Sequence, residues 1–345
     1  VNEKGLLNRG LRVVPWCPRC ETALAGYEIT DAYKVVRDPS IYVKFPVCGR
    51  RKEYVLIWTT TPWTLPSNVA IMVHPDHTYA RVEVQGETLI LAEARCEPIF
   101  KELGLKHRVL ETFPGKKLEG LRYVPPLLEE APLQSQFKNA NRVVLSKEYV
   151  TLEEGTGCVH SAPGHGEEDF EVGLQHDLPI VSPVDSAGYF TAEAGKYANK
   201  YVKEANRYII EDLQNKGLLL FEGVIDHKYP HCWRCKTPLL LRATDQWFIG
   251  VTTFKSKMLR ENEKLRWVPD WAGSKRFKAW LSGARDWVIS RQRYWGVPLP
   301  FWTCEKCGCR EVIGSLKELQ ERAIFIPKKV ELHKPWVDKV LLQCT

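Results

Sequence analysis

A chain of 345 residues with 49 Lys and Arg against 42 Asp and Glu carries a formal charge of +7, and its 44% hydrophobic content is enough to fill full cores. That length exceeds one ordinary domain, so two or three units are expected, and the mild positive excess is compatible with a polyanion such as RNA without requiring one. No apolar run reaches the roughly 18 residues of a membrane span and the opening "VNEKGLLNRG" has no apolar signal core, so the chain reads as soluble and cytoplasmic, with no membrane partner. Its start on Val1 and its stop inside "VLLQCT" lead us to expect a piece of something longer.

Residues 1–45 hold "PWCPRC" and then "DPSIYVKFPV", whose β-branched and aromatic content predicts a strand in an ingoing ribbon. From 46 to 200 the text is strand-rich. "EYVLIWTTT" reads as strand, and "YARVEVQGETLILA" as a hairpin, since Val82 and Val84 alternate with Arg81 and Glu83 before a Gln85-Gly86 turn. "EARCEPIFKELG" predicts a helix stopped at Gly104, and "YVKEANRYIIEDLQNKG" another, with Val202, Ala205, Tyr208, Ile209 and Leu213 at helical spacing. Residues 201–262 form a return segment containing "HCWRC", and 263–345 are basic, Trp-rich and end with another cysteine pair.

Of the cysteines, six form three Cys-x-x-Cys pairs, a spacing that offers two thiolates to zinc from one tight turn. Cys17 and Cys20 with Cys232 and Cys235 flank the strand-rich block, so a shared structural zinc would make that block an insertion on a two-stranded stalk. Cys304 and Cys307 need two more ligands, for which Cys309 and Cys344 are available, giving one or two zinc sites in all. Cys48, Cys96 and Cys158 read as small buried apolar residues.

In "WTTTPWTLPSN", Trp58 to Asn68, alternation along a strand puts Thr59 and Thr61 on one face and Thr60 on the other, and Pro62 ends the ladder. Hydroxyls both donate and accept, so such a group holds a water and a polar ligand edge without charge. "GTGCVHSAPGHGEEDFE" supplies a Gly-flanked strand with His160, a turn with Pro163, Gly164 and Gly166, and acids opening a helix. Phe170 beside Asp169 is an apolar anchor that turns this carboxylate inward, towards a cationic ammonium. Two other readings stand beside a hydrolytic pocket. One is a zinc-ribbon RNA-binding module without chemistry; the other is a metallohydrolase with His160, His165, Asp169 and His176 as ligands.

"WTTTPWTLPSN", "GTGCVHSAPGHGEEDF", "HCWRCKTPLL" and "ISRQRYWGVPLP", in this order, make the chain resemble isoleucyl-tRNA synthetases over essentially its whole length. The valyl and leucyl enzymes carry Thr-Thr-Arg-Pro where this chain has Thr60-Thr61-Pro62-Trp63. The HIGH and KMSKS signatures that handle ATP do not occur. "KSKM", Lys255 to Met258, is only an echo in an amphipathic helix, so the chain is not expected to aminoacylate, and ATP would serve only the full-length parent.

The resemblance implies a mixed α/β chain: a β-barrel-like editing domain with surrounding helices over 46–200, the insertion called connective peptide 1, on a zinc-ribbon stalk. Residues 263–345 would be part of the class I catalytic (Rossmann) region. It implies proofreading hydrolysis of valine misattached to tRNA(Ile), with valyl-adenylate as a further substrate, by a monomer. Thr60 and Thr61 would hold the terminal adenosine or the attacking water, with Trp58, Thr59, Thr64, Asn68, Gly155, Ala162 and Pro163 around the substrate. His160 would bound the side-chain pocket and Asp169 would bind the α-ammonium. Lys275, Arg276, Lys278, Arg285, Arg291 and Arg293 would face tRNA phosphate, with Trp280 packed beneath them.

Overall fold

The structure is a computed structural model that describes residues 1–292, 298–327 and 331–344. Two units divide it: Arg12–Thr244, and Val1–Leu11 together with Asp245–Thr345.

In the first of these, the end of β1 (Leu7–Cys17) pairs with β2 (Thr22–Ala23) and is followed by the short α1 (Gly26–Ile29). Then come β3 (Tyr33–Pro46), β4 (Glu53–Thr59), β5 (Ala70–Val73), β6 (Thr78–Val84), β7 (Glu87–Ala92), β8 (Arg108–Pro114), β9 (Arg142–Leu145) and β10 (Cys158–Ser161). Three helices are interleaved, α2 (Glu93–Glu102), α3 (Glu167–Gln175) and α4 (Val202–Asn215), and β11 (Leu219–Pro230) and β12 (Leu240–Ile249) close the order. The hairpin of β6 and β7 turns on Gln85 (φ 52°) and Gly86 (φ 79°), the paired positive angles that match strand twist.

One sheet runs β11-β3-β4-β7-β6-β8 and another β10-β5-β9. Period-two alternation decides what each face buries. Ile41, Val43 and Phe45 of β3 and Val55 and Ile57 of β4 point to a core shared with Ile71 and Val73 of β5 and with Val202, Ala205, Ile209 and Leu213 of α4. The residues between them, Tyr42 and Leu56, bury against Ile99 and Phe100 of α2. On the far side of the small sheet, Ala70, Met72 and Val144 pack on Val172 of α3.

The β-barrel expectation is corrected: both sheets are open, each with two edge strands, because no pairing links their ends. β3 and β11 pair antiparallel at one side of the larger sheet, in register from Tyr33↔Pro230 to Tyr42↔Phe221, with a shift before Val43↔Leu219. Of the lone cysteines, Cys96 and Cys158 are buried, whereas Cys48 is exposed and so is no core residue.

In the other unit, β13 (Trp287–Val288) pairs antiparallel with Ile249 and Phe248, and α5 (Lys255–Glu263) with α6 (Lys278–Ser282) frames stacked Phe277 and Trp280. The hairpin of β14 (Phe301–Thr303) and β15 (Arg310–Val312) is followed by α7 (Leu316–Arg322), capped by Ser315, and by β16 (Ala323–Phe325) paired with β17 (Leu341–Leu342). The pairs β12/β13, β14/β15 and β16/β17 are all antiparallel, so the parallel sheet of a Rossmann region is not among them. Among the described residues no helix is long and apolar enough to cross a membrane.

Tyr79 ties the two sheets together. Fully buried, its hydroxyl donates to Gly157 O at 2.6 Å and accepts from His74 N–H at 2.9 Å. Tyr79→Phe leaves both backbone groups short of a partner and is expected to cost about 1–3 kcal/mol. Urea unfolding measures this; an unchanged midpoint would show that the tie carries no stability.

Candidate active site

β4 ends at Thr59, and a 3-10 turn over Pro62–Ser67 begins where Pro62 can donate no ladder bond. Thr59 continues the face of Val55 and Ile57, so its hydroxyl lies at the end of the core between the sheets. It sits 3.3 Å from the Thr61 hydroxyl and accepts the Thr61 N–H at 3.1 Å. Across from it, β10 is antiparallel to β5, with His160 opposite Ile71. Where the sheets diverge, a cavity of about 380 Å³ opens, lined by Trp58, Thr59, Thr60, Thr61, Thr64, Tyr149, Thr151, Glu154 to His160, His165 and Asp169.

His160 is locked by a directional relay. The Tyr123 hydroxyl donates to Asn68 Oδ1 at 2.6 Å, which orients the amide; Asn68 Nδ2 then donates to Ala70 O at 2.9 Å and to His160 Nδ1 at 2.8 Å. An amide nitrogen cannot accept, so Nδ1 carries the lone pair and Nε2 the hydrogen. Nε2–H donates to Thr64 Oγ1 at 2.9 Å, and Thr64 passes its own hydrogen to Thr61 O at 2.9 Å. Burial, helped by the neighbouring His165, pushes the His160 ring down to about 3, so it is neutral. With both nitrogens engaged, it is a wall and not a base.

Asp169 stands in the first turn of α3, and Phe170 beside it is buried, as the apolar-anchor argument requires. Its Oδ2 accepts the Ala162 N–H at 3.1 Å. Burial pushes the carboxyl up to about 7 against the pull of that N–H, with Glu168 adding a smaller upward push. Gly166 makes room for it, because a Cβ there would lie 2.4 Å from Asp169 Oδ2.

The opposite wall depends on Gly155, at φ +66°, where a Cβ would come 3.0 Å from the Trp58 ring; the Trp58 indole donates to Ser40 Oγ at 2.8 Å. Arg95 of α2 holds this loop by its carbonyls, at 2.8 Å from Gly155 O, 3.3 Å from Glu153 O and 3.4 Å from Leu152 O.

Of the sequence-predicted residues, Trp58, Thr59, Thr60, Thr61, Thr64, Gly155, His160 and Asp169 are brought to one cavity. Asn68 lies behind His160, Ala162 contributes its backbone, and Pro163 is buried against Gly173, away from the lining. Sequence reasoning did not find Tyr123, Tyr149, Thr151, Glu154 or Arg95. Nothing local in the sequence marks Tyr123 or Tyr149.

The metal-hydrolase set does not assemble: His160 is fully engaged and His176 Nε2 bonds Leu145 O at 2.9 Å. The groups able to hold a metal among the described residues are Cys17, Cys20, Cys232 and Cys235, and Cys304, Cys307, Cys309 and Cys344, each with its sulfurs within 4.8 Å of one another. Tetrahedral zinc spaces its sulfurs by about 3.8 Å. Cys17 and Cys235 are 3.4 Å apart, close to that spacing, so the first set suits such an ion; in the second, Cys307 and Cys344 are 3.5 Å apart but Cys309 and Cys344 only 3.0 Å, tighter than a bound zinc would hold them. Of the basic segment, Lys275 and Arg276 are exposed, Lys278 pairs with Glu263, and Arg293 lies outside the described residues, as does part of "ISRQRYWGVPLP". Trp280 is 66% exposed, so it does not pack beneath them.

The family described as tRNA synthetases class I (I, L, M and V) matches residues 1–341. The chain is similar to isoleucine–tRNA ligase of Methanopyrus kandleri, 53% identical over 99% of this chain and 33% of that one. It is likewise similar to isoleucine–tRNA ligase of Methanothermobacter thermautotrophicus, at 54% over 99% of this chain and 32% of the other. It thus spans about a third of the length of the curated relatives it matches. A solved structure described as "The crystal structure of GlLeuRS-CP1" gives a TM-score of 0.43 at 13% identity, covering 53% of this chain and 98% of that one, a likeness too distant to bear on the assignment.

A carboxyl whose folded pKa is raised from 3.8 to about 7 gives stability that is fully present at low pH and lost as pH rises through 7. Asp169→Asn cannot lose it. Thermal unfolding is therefore expected to show the variant gaining on the wild type from about pH 4 to pH 8, by on the order of 4 kcal/mol at most, the worth of a rise from 3.8 to about 7. A difference flat across that range would show that Asp169 does not titrate there.

Proposed function

We propose, from the premise that this chain belongs to the class I tRNA synthetases (I, L, M and V), that its cavity is an editing site. It hydrolyses valine misattached to tRNA(Ile), within a parent that is an isoleucine–tRNA ligase. One observation carries the reading: a half-buried carboxyl, Asp169, shares a small cavity with threonine hydroxyls and a histidine that is locked neutral.

The chemistry follows from those groups. A misacylated tRNA end brings an α-ammonium beside an ester. The ammonium draws the Asp169 proton equilibrium down, and the resulting charge-assisted contact fixes the ester carbonyl relative to the wall. The hydroxyls of Thr59, Thr60 and Thr61 hold the terminal adenosine or the water that attacks the ester directly. No side chain of the cavity is placed as an activated nucleophile: Cys158 is buried with its thiol pushed well up by burial, and the imidazole beside Thr64 donates its Nε2–H to that hydroxyl and so takes no proton from it.

Selectivity is a matter of size. One methylene in an apolar pocket is worth only about 1–3 kcal/mol, a magnitude usually illustrated with the isoleucyl enzymes themselves. A second, smaller pocket reverses the problem, because valine enters where isoleucine's extra methylene meets the His160 ring. Zinc would be held by the first cysteine set and would supply cross-linking alone. There it would clamp the end of β1 to the turn after β11, the two ends of the inserted unit.

Two esters and one variant test the reading. Val-tRNA(Ile) should be hydrolysed by the parent enzyme and Ile-tRNA(Ile) spared, and Asp169→Ala should slow release of valine roughly 10- to 100-fold. Equal hydrolysis of both esters contradicts the editing assignment, and undiminished hydrolysis by Asp169→Ala removes that residue from the site.

A further inference from the structure

His165 lines the same cavity and has no part in the chemistry above. Its side chain is nearly enclosed, 6% exposed, with the ring set edge-on to Trp63 at 4.9 Å between centroids. Its Nδ1 lies 3.0 Å from Leu241 O. A carbonyl only accepts, so Nδ1 carries the hydrogen. Burial pushes the ring down to about 4, so it stays neutral and leaves a lone pair on Nε2. That Nε2 is buried and has no partner.

The contrast with His160 is informative. There every ring nitrogen is satisfied by protein; here one acceptor is left over, and buried acceptors are rarely left unmet. His165 N–H donates to Ala162 O at 2.8 Å, the same residue whose own N–H holds Asp169, so one turn carries both the unmet acceptor and the carboxyl. A ligand ammonium has three N–H donors and one carboxylate cannot satisfy them all.

The geometry points to His165 Nε2 as a second acceptor for the substrate's α-ammonium, forming with Asp169 a two-point clamp that selects esters of α-amino acids. This rests on the editing reading. A carboxylate alone holds an ammonium but leaves it free to turn; a second, neutral acceptor sets its rotation and so the direction in which the side chain meets His160.

The test uses the full-length parent enzyme and two esters on the same tRNA, valyl and isovaleryl, the latter lacking the α-amino group. His165→Asn keeps a side-chain N–H for Leu241 O and deletes the Nε2 acceptor. The valyl-over-isovaleryl ratio of kcat/KM should shrink by roughly 10- to 100-fold, the range of one lost charge-assisted hydrogen bond. Because both esters are measured on one protein, that ratio does not depend on the fraction folded. An unchanged ratio overturns the clamp. If His165→Asn is inactive on both, His165→Gln, which retains an acceptor, should keep the ratio within about threefold, and loss of the ratio there overturns the proposal. A wild-type enzyme that hydrolyses neither ester overturns the editing reading and the clamp with it, whereas a valyl-active enzyme with an unmoved ratio removes the clamp alone.

Discussion

The relay from Tyr123 through Asn68 and His160 to Thr64 is the constraint on which the site depends. It joins the strand end that carries the threonines to β10 across the gap between the two sheets, and every link has one possible direction. A partly satisfied polar network at this depth would be worse than an apolar core, because each unpaired group would cost its desolvation. Complete satisfaction makes His160 rigid and chemically silent at neutral pH, which suits the gauging role proposed for it.

Asp169 shows the opposite economy. Its carboxyl is held in a place where burial disfavours charge, with a single N–H from Ala162 as protein donor. The fold thus carries an electrostatic strain that a cationic ligand relieves, which is a common mark of a binding site. Gly166 and Phe170 keep the carboxyl there, the first by absence of a side chain and the second by burial.

Much of this was legible in the text of the chain because it is local. Alternation in "EYVLIWTTT" places Thr59 with the core face, the Gly-flanked "GTGCVHS" gives β10, and the cysteine spacings mark both sulfur clusters. What was not legible depends on pairings between distant segments. Tyr123 reaches Asn68 across 55 positions and Arg95 reaches Gly155 across 60, with no periodicity to announce either. Closure of a sheet is likewise a property of its edges, so a strand-rich text read as a barrel while β8, β9, β10 and β11 remain edges. Cys309, one of the two ligands the sequence offered to the Cys304–Cys307 pair, lies in that cluster because the β14/β15 hairpin folds it back.

The central claim is that His160 measures side-chain size and moves no proton. Replacing it separates the two roles: His160→Ala in the parent enzyme, assayed on Val-tRNA(Ile) and Ile-tRNA(Ile) in single turnovers. The account predicts that hydrolysis of the isoleucyl ester rises towards the valyl rate while the valyl rate is largely kept. Collapse of valyl hydrolysis, with the isoleucyl ester still spared, would contradict it and make His160 part of the reaction.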